Sequence, residues 1–369
     1  MAGASCPDAT ITITTQTDAD KLGQCQTFDG DIVLTPTIKE DITLRGIQKI
    51  NGALYTGPGT DTADKPTNAQ FTLSSNTLTS ISGNLTLSSM PGLYGLFLPN
   101  LTTVGGPVTM SELPVLANLS LQSINSVGNI RIISAPKLVN ATMGSKTVTT
   151  DPTIGLKHIT DPTDATIEVR NVGLSNVDGL IDLYNASNLI LKDLPNLNSV
   201  ILRTGNIDQV EIQGNNDLTV YTWEGSIFTD TPQPIIGTLN ISGVKQVDPC
   251  LWPDVHNFIA VNNSIEYLHF GFKSLQRIEV RDNPNLRRFL PWNGPDFATI
   301  NVWLWNLTDL IIKDNPLLTL QHSFPRAAND TLTAQQCPFM FREQKDDWYW
   351  WPFHMQSLVI DANIDNTYL

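Results

Sequence analysis

Apolar and polar positions along this chain recur in a nine-residue frame, apolar-x-apolar-x-x-x-Pro-x-Leu. The frame stands at residues 85–93, 108–116, 130–138, 189–197, 278–286 and 310–318, and a seventh copy at 210–218 keeps it with Asn216 in place of proline. The first three copies start 23 and then 22 residues apart. A second set keeps the same period: Leu96, Leu98, Leu101 and Val104 return as Leu119, Leu121, Ile124 and Val127, each 23 residues on. Residues two apart on a strand face the same side, so Leu85 with Leu87, or Ile278 with Val280, point into one core. Asn or Asp then lets the chain turn, proline ends ladder donation and blocks a helix, and the closing Leu tucks back inside. Each repeat is one coil whose apolar edges the next coil covers. The pattern predicts a mainly β chain, a right-handed parallel β-helix or leucine-rich-repeat-like solenoid. A sandwich of hairpins would not return every 22 or 23 residues.

One helix is expected, at residues 17–22 with Thr17 as its N-cap and an end near Gly23, closing the first coil. Residues 55–69 and 222–234 lack periodicity and are rich in turn formers, so they read as loops. Residues 144–165 separate the regular array from a second one that resumes at Ile167-Glu168-Val169. The domain join is placed there. Residues 1–150 form a cap and first solenoid, and residues 151–369 a less regular second solenoid with an aromatic C-terminal region.

Composition narrows the partners. The chain of 369 residues has 22 Lys and Arg against 36 Asp and Glu, a net charge of −14, and charged residues are 16% of the total. An ordinary soluble protein carries about 25%, so Thr, Ser and Asn must wet this surface. No basic run exceeds Arg287-Arg288, which disfavours nucleic acid and anionic membrane surfaces as partners. No apolar stretch approaches the ~20 residues of a membrane helix. Met1-Ala2-Gly3-Ala4-Ser5 has the small-x-small pattern of a signal-peptidase site, and residues 366–369 lack GPI-signal features. A leader and any membrane anchor are therefore expected outside this chain.

Cys6, Cys25, Cys250 and Cys337 do not stand at metal-finger spacings, and the five histidines form no i, i+4 ligand pair. No metal or cofactor is expected. Disulfides are the simpler reading, with three connectivities open. The most local joins Cys6 to Cys25 in a loop worth roughly 3 kcal/mol, leaving Cys250 with Cys337. Four buried thiols in a reducing compartment are the alternative.

The opening CPDATITITTQTDADKLGQCQTFDGDIVL, with Cys6, Asp18-x-Asp20, Leu22, Cys25 and Gly30-Asp31-Ile32, resembles the start of the fungal GPI-anchored cell-wall organisation proteins. The L-x-I-x-D-N-P-x-L frames resemble the receptor L-domain of insulin-receptor and EGF-receptor ectodomains. The resemblance covers nearly the whole chain. It implies two tandem receptor L-domain-like arrays on a secreted glycoprotein, anchored by lipid at the plasma membrane or wall and acting in wall organisation and integrity without catalysis. The tail after Cys337 is more aromatic than the family pattern, which leaves a transmembrane segment or free secretion as other modes.

Nine N-x-[ST] sequons occur, at Asn84, Asn100, Asn118, Asn140, Asn185, Asn240, Asn262, Asn306 and Asn329. Asn84 and Asn118 directly precede the inward Leu85 and Leu119, so their side chains should face outward, as a glycan requires. The plainer reading is that such asparagines shape turns. Trp348, Trp350 and Trp351 could stack on wall polysaccharide or meet a surface protein, or else cap the last coil. A polysaccharide-degrading β-helix enzyme would need converging carboxylates. Asp193, Asp282 and Asp314 are the candidates, yet all occupy one slot of the repeat, where accepting hydrogen bonds from turn N–H groups is a structural task. No enzyme is expected. The expected role is an extracellular wall or surface glycoprotein whose solenoid is a binding or spacer surface; a ligand-binding receptor ectodomain is the alternative.

Overall fold

The computed structural model describes residues 6, 10–58, 69–144, 158–159, 166–177, 185–202, 206–221, 235–248, 254–270, 274–291, 306–318 and 355–361. The chain is mainly β, its strands pair in parallel, and the fold is a β-solenoid. It forms two compact units, Met1–Leu197 and Asn198–Leu369.

In the first unit five successive coils, from Ile32 to Ile159, each lay down three strands and return one rung higher. The main ladder stacks Ile11–Ile13, Ile32–Leu34, Leu54–Thr56, Leu85–Ser88, Val108–Ser111, Ile130–Ala135, Thr166–Val172 and Asn185–Lys192 in that order. A second ladder runs from Ile42–Thr43 through Phe71–Ser74, Leu93–Phe97 and Asn118–Leu121 to Asn140–Met143. A third, of two-residue strands, runs from Thr27–Phe28 to His158–Ile159. Val108 lies in register with both Leu85 and Ile130, so the repeat's apolar positions become continuous columns. Leu85, Val108 and Ile130, and beside them Leu87, Met110 and Ile132, are fully buried. Leu54–Thr56 belongs to the main ladder, so the aperiodic stretch expected from residue 55 starts later.

The frame closes by a specific turn. The N–H of each closing leucine (Leu93, Leu116, Leu138, Leu197, Leu286 and Leu318) donates to the carbonyl three residues back at 3.0–3.2 Å. Proline therefore sits second in a four-residue turn, where its fixed φ is already correct. The residue two before proline, at Ser89, Glu112, Ser134, Asp193, Asp282 and Asp314, holds φ between 52° and 58°. Ser and Glu serve there as well as Asp. The slot thus selects for a left-handed backbone, which short polar residues tolerate best, and not for a carboxylate that accepts turn N–H groups.

The main ladder runs on through the stretch where the domain join was expected. Ile130–Ala135 pairs with Thr166–Val172 from Ile130↔Ile167 to Ala135↔Val172, and the compact units divide after Leu197, not near residue 150. An insertion between two rungs silences the period in sequence just as the end of an array would. The helix is Gln16–Asp20 and its N-cap is Thr15, not Thr17. Thr15 wins because Asp18 then falls at the third helical position and completes a capping box. Gln16 takes the place of a strand below the second ladder: its Oε1 accepts from Thr43 N–H at 2.7 Å and its Nε2 donates to Thr43 O at 3.0 Å.

The second unit stacks Asn206–Tyr221, Ile235–Asp248, Asp254–Val261, Arg277–Arg281, Asp309–Lys313 and Ser357–Ile360. Lacking the proline, the copy at 210–218 makes no sharp turn. Its strand continues to Tyr221 with a register slip between Gln213 and Leu218, and Asn216 at φ 69°. The position before proline also changes character. In the first unit it holds buried Met90, Leu113, Ala135 and Leu194; in the second it holds buried Asn283 and Asn315, with Asn263 in the same place on the rung before. Asn315 Oδ1 accepts from Asn283 N–H at 3.1 Å and Nδ2 at 3.0 Å, and Asn283 Oδ1 accepts likewise from Asn263. Their Nδ2 groups donate to the strand carbonyls of Ile241, Ala260 and Val280.

Candidate functional site

Outward positions of the ladders are where the solenoid can meet other molecules, and strand alternation fixes which residues stand there. The three candidate carboxylates all lie exposed on the left-handed rim. Asp193 belongs to the first unit, while Asp282 and Asp314 occupy adjacent rungs of the second. Arg281 Nη1 donates to Asp282 at 2.8 Å, and Lys313 lies 3.5 Å from Asp314. Among the described residues no three His, Cys, Asp or Glu side chains group as a metal site.

Each unit carries an arginine clamp on its main-ladder face. Glu168, only 7% exposed, accepts from Arg131 Nε at 3.0 Å and pairs with Arg170 at 3.0 Å. Glu279 is held by Arg277 and Arg281, each at 2.7 Å. The Arg277 hydrogen bond, reinforced by Arg281 and opposed by partial burial, keeps the Glu279 carboxyl below its ordinary value. Glu279, fixed between two guanidinium groups, is committed to the fold and is poorly placed to trade protons.

Within the first unit, between the Glu168 clamp and the N-terminal coils, lies a neutral stretch. No residue from 66 to 111 carries a charge. The outward positions there are Thr72 and Ser74 on the second ladder, and Thr86, Ser88, Thr109 and Ser111 on the main one, all half-buried. The second ladder presents two aromatics in this stretch, the exposed Tyr94 and the half-buried Phe97, whose ring edge fills the space beside the buried Gly95. Such a surface offers hydroxyl donors and acceptors with an apolar plane, and it suits neutral ligands.

Asn84, Asn100, Asn140, Asn262 and Asn306 are exposed, and Asn118 and Asn240 half-buried. Leu85 and Leu119 are buried beside Asn84 and Asn118. Asn100 also shapes local structure, its Nδ2 donating to Asn76 O at 2.6 Å, and Asn262 holds φ 55° in the rim slot. Asn185 starts the last main-ladder strand of the first unit. Cys6 and Cys25 form a disulfide with Cα atoms 5.6 Å apart. Cys250, Cys337, Asn329, Trp348, Trp350 and Trp351 lie outside the described residues. The clamps and Phe97 were not singled out from the sequence. Arg131 and Glu168 stand 37 residues apart and meet only because the rungs stack, whereas the alternation Arg277-x-Glu279-x-Arg281 was available as a signal.

Over 87 residues the chain is 36% identical to a protein of Arthroderma benhamiae named "Cell surface GPI-anchored protein". That match takes in 23% of this chain and 20% of the relative, so it spans about a fifth of the relative's own length. No family model matches the chain, and no solved structure gives a significant match.

Proposed function

We propose that this protein is a non-catalytic fungal cell-surface glycoprotein, held by a GPI anchor, that acts in wall organisation as a solenoid binding and spacer surface. In this reading the two units are receptor L-domain-like arrays, as the repeat frames suggest. The observation that carries it is the segmental relationship to a fungal protein named for GPI-anchored placement at the cell surface. The Cys6–Cys25 disulfide agrees with an oxidising compartment. The rim position of Asp193, Asp282 and Asp314 supports a role without catalysis, since each fills a repeated structural slot.

Its partner is wall polysaccharide, which the neutral hydroxyl face over residues 66–111 suits; a surface protein is the other outcome of a binding test. The experiment is to express the tagged protein from its own gene in a filamentous fungus, label intact cells and treat them with phosphatidylinositol-specific phospholipase C. Surface label lost to the medium after treatment is expected; label confined to the cytosol would count against the reading. Incubation of the purified protein with wall glucan and chitin is expected to retain it on the solid without releasing reducing ends.

A further inference from the structure

We infer that Asn118 carries an N-linked glycan whose first N-acetylglucosamine lies on the ring of Phe97. The inference rests on the secretory route proposed above and adds to it a specific site and contact. Gly95, Asn118 and Asn140 stand in register on successive rungs of the second ladder, about 4.8 Å apart. At Gly95 the outward side chain is missing, and Phe97, two residues on and on the same face, puts its ring edge into the gap. A Cβ at Gly95 would lie 2.5 Å from Phe97 Cε2 and 2.9 Å from Cζ, so only a glycine leaves room for the edge of the ring there. Gly95 is buried beside it and Phe97 is half-buried. The ring is thus the neighbour of Asn118 on one side.

On the other side stands Asn140, whose Nδ2 donates to Asn118 Oδ1 at 3.0 Å. That bond turns the Asn118 oxygen toward Asn140. The amide is planar, with its nitrogen and oxygen pointing apart, so Nδ2 is turned toward Gly95 and Phe97. Nδ2 is the atom that takes the sugar in an N-x-[ST] sequon, and Asn118-Leu119-Ser120 is one. A sugar growing from it comes up against the ring. The C–H groups of a pyranose face carry slight positive charge and the aromatic face slight negative charge, so they attract beyond the apolar area they cover. Retaining the Oδ1 bond needs no change at Asn118, because glycosylation replaces one Nδ2 hydrogen and leaves the oxygen free.

The test is a cycle of Ser120→Ala, which removes the sequon but keeps Asn118, with Phe97→Ala, in full-length protein secreted by a fungal host. Glycopeptide mass spectrometry is expected to show Asn118 occupied. Ser120→Ala is expected to lower Tm by about 2 °C when Phe97 is present and by little when it is absent. Ser120 is also the register partner of Phe97, so the coupling in glycan-free protein from the bacterial periplasm sets the baseline, and the glycosylated protein should exceed it. Endoglycosidase H, which leaves the first sugar on asparagine, should preserve the excess. Should Phe97→Ala fail to fold, Phe97→Leu keeps the bulk, loses the flat ring and takes its place in the cycle. A protein glycosylated elsewhere but bare at Asn118, or a coupling no greater than in the glycan-free protein, overturns the inference alone. A secreted protein with no N-glycan at any sequon overturns it together with the surface reading.

Discussion

Asp193 holds φ 53° with its carboxylate exposed, and the torsion recurs two residues after the second inward apolar position on rung after rung. Asn171, Gly243 and Asn262 fill the same place on rungs that lack proline. If backbone geometry is the whole demand, Asp193→Gly should leave stability within a few tenths of a kcal/mol. Asp193→Val, which brings a β-branched side chain to a left-handed torsion, should cost about 1–2 kcal/mol, read from urea midpoints. Equal effects of the two would point to a task for the carboxylate itself. At Glu279 the demand is on charge. Its carboxyl is held below the ordinary 4.5 by Arg277 first and Arg281 second. A folded value below the unfolded one gives stability that is present above about pH 4.5 and fades as pH falls through the folded value. Glu279→Gln should therefore lose less stability than the parent between neutral pH and pH below 4.5, measured by denaturant unfolding at each pH.

Rungs are the unit in which this chain repeats, and their legibility in the sequence depended on how each one turns. Where proline sits second in the turn, the frame stood out and every closing leucine is buried. Leu239 with Ile241, and Phe258 with Ala260, form rungs with equally buried columns, but Gly243 and Asn262 turn them without proline, so only a faint alternation marked them. The buried asparagines were hidden for another reason. Asn283 and Asn315 precede proline, and in a single sequence an Asn before Pro reads as an exposed turn residue. Only the stacking of one rung on the next supplies each amide with the partners that make burial tolerable. Asn283→Ala would leave the N–H and Nδ2 of Asn263 without their acceptor and the Ala260 carbonyl without its donor. The expected cost is about 3 kcal/mol in equilibrium unfolding. A loss under ~1 kcal/mol would mean that water or a neighbour replaces the ladder.

At the scale of the whole chain, solenoid stability is a sum of nearest-neighbour terms, and damage should stay where it is done. Reducing the Cys6–Cys25 bridge, which spans 19 residues, releases roughly 3 kcal/mol of loop constraint. Amide exchange is expected to quicken in Ile11–Ile13 and Gln16–Asp20 while Val108–Ser111 keeps its protection. Uniform acceleration would instead mark the first unit as a single cooperative block. The candidate surface was legible only in part, because a sequon announces itself in three letters while its neighbours across the ladder do not. Gly95 and Phe97 precede Asn118 by some twenty residues and meet it through the coil period alone. The same period bears on how the molecule ends. A parallel ladder accepts another strand wherever backbone N–H and C=O groups are left open, and a second molecule carries strands of the right spacing. Such a contact joins unlike surfaces and does not close on itself, so it would extend into a fibre. By satisfying both backbone groups of Thr43 with one side chain, Gln16 denies the second ladder that growth point, and its amide works as a chain terminator for polymerisation.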